Sequence, residues 1–140
     1  MLLQWQIFPL DYEEKFKPGD SKIYMKLVCV QNAATFHGEL LHPVYATFPL
    51  ARDFEWSSRY FFLEMRDEDD EGMGTFLQIE HQSPSSIGEE VTIKATVESI
   101  IGNELICSIE AQSGDRVMAS GKTGQKMLKS KKLKKLFGHG

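Results

Sequence analysis

Residues 47–65 read TFPLARDFEWSSRYFFLEM, and this stretch decides the fold class. Thr47 is a plausible helix N-cap, and Pro49 suits a first helical turn, where its missing N–H costs nothing. From Leu50 to about Met65 the pattern is helical. Leu50, Phe54, Ser57, Ser58 and Phe61 fall on one face, and Arg52, Arg59 and Arg66 fall elsewhere. The two serines between large rings allow another backbone to approach closely. The acidic run Asp67-Glu68-Asp69-Asp70-Glu71 and Gly72 end the helix.

Outward from the helix, the chain reads as strands. Lys22 to Val30 is rich in β-branched and aromatic residues and predicts a strand. Between it and the helix, residues 32–43 read as irregular, with Gly38 and Pro43 as breakers. Gly74 to Gln82 predicts a strand. Val91, Ile93, Ala95 and Val97 alternate with polar residues, as do Leu105, Cys107, Ile109 and Ala111. That period of two marks half-buried strands. Gly102-Asn103 and Ser113-Gly114-Asp115 are turns, and Val117 to Lys126 is a last strand. A strand, a long helix and four strands joined by short turns give an α+β fold with a mostly antiparallel sheet. Such a sheet has open edges, and the expected solution is a homodimer with a continuous sheet.

The chain has 140 residues, a length typical of one domain. Residues 1–20 read as an N-terminal extension, with a short strand over Leu2 to Phe8, and residues 126–140 as a basic C-terminal tail. The two cysteines, Cys29 and Cys107, lie far apart in apolar surroundings and predict buried thiols in a reducing compartment. No cysteine or histidine spacing suits a metal, so no metal site is expected. No apolar run approaches a membrane span, and residues 1–6 lack a basic start. A cytoplasmic protein without membrane or nucleic-acid partners is the expectation. Ser120-Gly121-Lys122-Thr123 resembles the end of a phosphate-binding loop, but Arg116 stands where that loop needs glycine, so a strand is predicted there.

Three residues can carry chemistry. Glu55 lies on the helix beside Trp56, where a carboxylate is costly unless it is paired or functional. The alternative is a surface glutamate paired with Arg52 or Arg59 at helical spacing. His81 ends the strand Gln78-Ile79-Glu80-His81 on the face of Leu77 and Ile79. The alternative there is a buried core histidine bonded to a carbonyl. Thr47 by itself is a helix cap.

Taken together, Ala46-Thr47, Phe54-Glu55-Trp56, Gly72-Met73-Gly74-Thr75 and His81 resemble the fluoroacetyl-CoA thioesterase family. The threonine stands eight positions before the glutamate, and the histidine six positions after Thr75. The resemblance covers roughly residues 20–130, including the Ala119-Ser120-Gly121 strand. It implies a hot-dog fold, in which a sheet wraps a long central helix. It also implies a thioester hydrolase with Thr47, Glu55 and His81 as catalytic residues and Gly74 lining the acyl pocket. Phe36 is the candidate for an aromatic lid. The charged turn Ala51-Arg52-Asp53 departs from the family, so the activity implied is hydrolysis of a short-chain acyl-CoA, with coenzyme A as part of the substrate and no separate cofactor. The alternatives are an enoyl-CoA hydratase or dehydratase and a non-catalytic acyl-thioester-binding dimer. The lysine-rich tail, with Lys129 and Lys131, is a candidate contact for the coenzyme A phosphates, or else a solvated tail.

Overall fold

A computed structural model describes residues 15–138. Strand β1 (Ser21–Leu27) is followed by a single 3-10 turn (Val30–Asn32). A hairpin of β2 (Ala33–Phe36) and β3 (Glu39–Tyr45) then leads into helix α1 (Thr47–Met65). Four long strands come next: β4 (Asp70–His81), β5 (Glu90–Ile101), β6 (Glu104–Ser113) and β7 (Arg116–Lys129). Helix α2 (Ser130–Leu136) closes the described chain. The five long strands form one antiparallel sheet in the order β1-β5-β6-β7-β4. Consecutive strands β5, β6 and β7 are neighbours because short turns can join only adjacent antiparallel strands.

The core lies between α1 and one face of this sheet. Leu50, Phe54, Phe61, Phe62 and Met65 point from the helix onto Val91, Ile93, Ala95, Val97, Leu105, Cys107, Ile109 and Ala111. Each fully buried phenylalanine contributes about 1.5–3 kcal/mol. Burial also pushes the Cys107 thiol up to about 12, with Glu98 adding to the shift. Gly121 marks the closest approach of β7 to β4, since a Cβ there would lie 1.8 Å from the Gln78 carbonyl oxygen.

Several expectations change. Residues 32–43 are not irregular. They make a hairpin turned by His37 and Gly38, both with positive φ, where the familiar signal would be Asn-Gly. Pro43 sits inside β3, which tolerates it as a short, irregular edge strand. The acidic run lies wholly beyond the helix, which ends at Met65, and Asp70 and Glu71 already belong to β4. The tail begins as strand, because β7 extends to Lys129. Cys29 is exposed rather than buried. The expected strand over Leu2 to Phe8 lies outside the described residues. Part of the N-terminal extension does pack on the core: Phe16 meets Phe61 edge-on at 5.0 Å, and the Gly19 N–H bonds the Val97 carbonyl.

Candidate active site

Helix α1 runs above β4, and the candidate residues fall along these two elements. At the N-terminal end, Thr47 is the first helical residue and Ala46 is the N-cap, which makes no side-chain cap bond. The capping role expected of Thr47 is therefore corrected. Its hydroxyl instead meets His81 Nε2 at 2.9 Å. His81 points to the helix side of the sheet, as the alternation predicts. It is exposed there.

Glu55 lies eight residues further on, about 12 Å along the axis at 1.5 Å per residue. Its carboxylate stands over Gly74, where an added Cβ would come within 3.5 Å of Oε1. Neither arginine at helical spacing pairs with Glu55. Arg52 Nε is 3.8 Å from Asp53, and the Arg59 guanidinium lies over the Phe62 ring. Glu55 is exposed, and among the described residues it forms no ion pair.

Gly74 and His81 are seven positions apart, so a regular strand would point them to opposite faces. A β-bulge between Gly74 and Phe76 inserts Thr75 and reverses the alternation. Gly74 and Gly72 face the helix before it, and Leu77, Ile79 and His81 face the helix after it. The bulge therefore brings the glycine under Glu55 and the histidine beside Thr47 onto one side.

Thr47 and His81 open into a cleft of about 880 Å³ between the helix start, the β2–β3 hairpin and the 81–84 segment. Glu55 does not line it. One chain thus forms two separate clusters, Thr47 with His81 and Glu55 with Gly74. Phe36 sits at the hairpin tip, 64% exposed and edge-on to His37, and is not part of the cleft wall. Lys129 is held by Asp70 at 2.8 Å and Asp69 at 3.1 Å, which raises its pKa, so it is not a free phosphate contact. Lys131 is exposed on α2. That helix packs against β7 and β4 near Asp70, at the other end of the sheet strand from His81.

One feature of the site escaped the sequence. Asp53 is only 3% exposed and accepts a hydrogen bond from the equally buried Tyr45 hydroxyl, with Lys26 Nζ 3.9 Å away. Burial and the neighbouring Asp53 carboxylate hold the Tyr45 phenol in its neutral form. Tyr45 ends β3 two residues before Thr47, so this bond ties the β3–α1 junction to the helix body. The position of Asp53 between Leu50 and Phe54 on the apolar face was the available signal.

Residues 28–131 match the model of a family described as the fluoroacetyl-CoA-specific thioesterase FlK. The chain belongs to that family. Its fold is the hot-dog fold, shared with a thioesterase superfamily member of Thermus thermophilus at a TM-score of 0.81. That protein is 26% identical, over 87% of this chain and 90% of the other. A hot-dog-like protein from Thermanaerovibrio acidaminovorans superposes at 0.84 with 20% identity, over 91% and 95% of the two chains. A phenylalanine-to-alanine variant of FlK, in complex with fluoroacetate and CoA, superposes at 0.75 with 19% identity, over 84% and 99%. A search of curated proteins finds no match. Among the described residues no helix is long and apolar enough to cross a membrane, and no group of three or more potential metal ligands occurs.

Proposed function

We propose that this member of the family hydrolyses short-chain acyl-CoA thioesters, and that its catalytic centre joins Thr47 and His81 of one copy to Glu55 of a second copy. The observation that carries the reading is the 2.9 Å contact of Thr47 with His81 in an open cleft, with the family-spaced glutamate held apart from it.

Two features favour the second copy. Among the described residues β4 is an edge of the sheet, with β7 as its one neighbour, and a long open edge invites pairing. Phe48, Glu55, Arg59 and Phe62 are spaced to share one stripe of α1, and Phe62 and Arg59 flank Gly72 of β4. The stripe faces that edge, and Phe48 on it is 85% exposed. A two-fold dimer pairing β4 with itself, centred on Gln78, sets Gly74 opposite His81 once the extra residue at Thr75 is allowed for. Glu55 above Gly74 then reaches the Thr47–His81 pair of the other copy. Twofold symmetry builds the same site twice.

In such a site Glu55 activates a water molecule, or attacks the thioester carbonyl carbon itself to form a mixed anhydride that water then hydrolyses to regenerate the carboxylate. The carbon–sulfur bond breaks, the thiolate takes a proton, and the products are a carboxylic acid and free coenzyme A. Thr47 fixes the His81 ring, which can pass that proton to the leaving sulfur. The start of α1 favours the developing oxyanion, because its first N–H groups have no intrahelical partner and the helix dipole is positive there. Pro49 removes one of those donors and leaves Thr47 and Phe48 to supply the nearest two.

The test is release of free thiol from acetyl-CoA, propionyl-CoA and longer esters. Thiol release supports the hydrolase. Hydration of crotonyl-CoA without thiol release, or binding without turnover, would contradict it.

A further inference from the structure

The cleft beside Thr47 and His81 is chemically one-sided. Its sixteen lining residues include Arg52, His42 and His81 but no aspartate or glutamate. The whole chain carries a formal charge of -4, so an acid-free wall runs against the average. Arg52 is the fixed cation of that wall, and its side chain is 63% exposed.

Its neighbour Asp53 does not use up that charge. Asp53 is buried, bonded to the Tyr45 hydroxyl and near Lys26, and its contact with Arg52 is a long one, 3.8 Å from Nε. Among the described residues no other carboxylate pairs with the Arg52 guanidinium. The exposed guanidinium makes no hydrogen bond to a carboxylate among the described residues, and its planar fork has the geometry that takes a carboxylate or phosphate through two parallel hydrogen bonds. Arg52 lies five residues along α1 from Thr47, about 7.5 Å in axial rise. That offset places it away from the reacting carbonyl yet on the same cleft.

We infer that Arg52 forms an anion subsite in this cleft, which holds a negatively charged oxygen group of the substrate away from the bond that breaks. The inference rests on the cleft being the substrate site. The anion has two sources in an acyl-CoA: a phosphate of the coenzyme half, or a carboxylate at the far end of a dicarboxylic acyl group. The subsite also explains how anionic substrates reach a cleft on a net negative protein, since a low-dielectric recess lined by one sign of charge concentrates the opposite sign.

The experiment compares Arg52→Gln and Arg52→Lys with the unaltered protein. Calorimetry gives the Kd for free coenzyme A, and kinetics give KM for acetyl-CoA, acetyl-pantetheine and succinyl-CoA. A phosphate subsite predicts that Arg52→Gln weakens coenzyme A binding and raises KM for both CoA esters about tenfold or more, with acetyl-pantetheine unchanged. A carboxylate subsite predicts the same loss for succinyl-CoA alone, with free coenzyme A binding unchanged. In either case Arg52→Lys retains part of the effect, because it keeps the charge and loses the fork. Values within twofold for every ligand would overturn the inference. Coenzyme A binding is read without turnover, so a protein that binds it through Arg52 and hydrolyses nothing would reject the hydrolase and leave a phosphate subsite standing.

Discussion

The two ends of the candidate site are built differently. At the start of α1, Thr47 and His81 touch, and the buried Tyr45–Asp53 bond braces the junction that carries them. Two turns further on, Glu55 stands over a bare glycine and, among the described residues, has no charged partner and faces an open sheet edge. A side chain that is already hydrogen-bonded within its own chain has its geometry fixed by that chain. A carboxylate left unpaired at an open edge has its partner still to come. On the proposed reading, the difference arises because one chain holds two halves of a site rather than one whole site.

The largest expected effect comes from breaking the unpaired half. Glu55→Ala should lower turnover of a short acyl-CoA by about a hundredfold or more, the scale of losing an acid or base. The helix should be undisturbed, since the side chain is exposed. Steady-state kinetics with a circular dichroism control measure both. Near-normal turnover would leave Glu55 with no part in the chemistry.

The braced half should respond in a graded way. Thr47→Ala removes the hydroxyl that holds His81 and should reduce kcat about tenfold, roughly the worth of one hydrogen bond. Thr47→Ser keeps the hydroxyl and should recover most of the loss. If serine fails as badly as alanine, the methyl group rather than the bond to His81 is what matters.

Much of this contrast was legible in the sequence, and the rest was hidden for physical reasons. The spacing of Leu50, Phe54, Ser57, Ser58 and Phe61 placed the helix face correctly, and all five are buried. Alternation in β5 and β6 placed the inner sheet face. The bulge at Thr75 was not legible, because a single extra residue leaves no signature in composition. Without it, Gly74 and His81 cannot share a face. The hairpin at His37-Gly38 escaped because histidine is an uncommon choice for a positive φ. Thr47 was read as a cap because helix-start threonines usually are; only the placement of His81 across from it redirects the hydroxyl. Lys129 looked free in a lysine-rich tail, and strand pairing with Asp70 made it a buried carboxylate's partner.

A smaller effect separates bracing from chemistry. Tyr45→Phe removes the hydroxyl from buried Asp53 and should cost about 1–3 kcal/mol of stability, read as a lower urea midpoint. Any loss of turnover should be milder than that of Thr47→Ala. An unchanged midpoint would mean that the junction is held by the backbone bonds of Tyr45 and Ala46 alone.

The smallest effect concerns the thiols. Cys29 is exposed, and Cys107 is buried with its pKa pushed up to about 12. The reactive thiolate of Cys107 forms only as the pH rises toward that value, so at pH 8 the folded protein should label once with a thiol reagent and twice after unfolding. Equal labelling of both cysteines in the folded state would contradict the packing of β6 against α1.

The central claim is that a working site takes Glu55 from one copy and Thr47 with His81 from another. Two inactive variants, Glu55→Ala and His81→Ala, test it when they are unfolded together in equal amounts and refolded. A mixed dimer contains one site with both residues intact and one site with neither. Half of the dimers are mixed, so activity should return to about one quarter of the unaltered protein's. Refolded dimers with no more activity than either variant alone would place all three residues in one chain's own site and contradict the account.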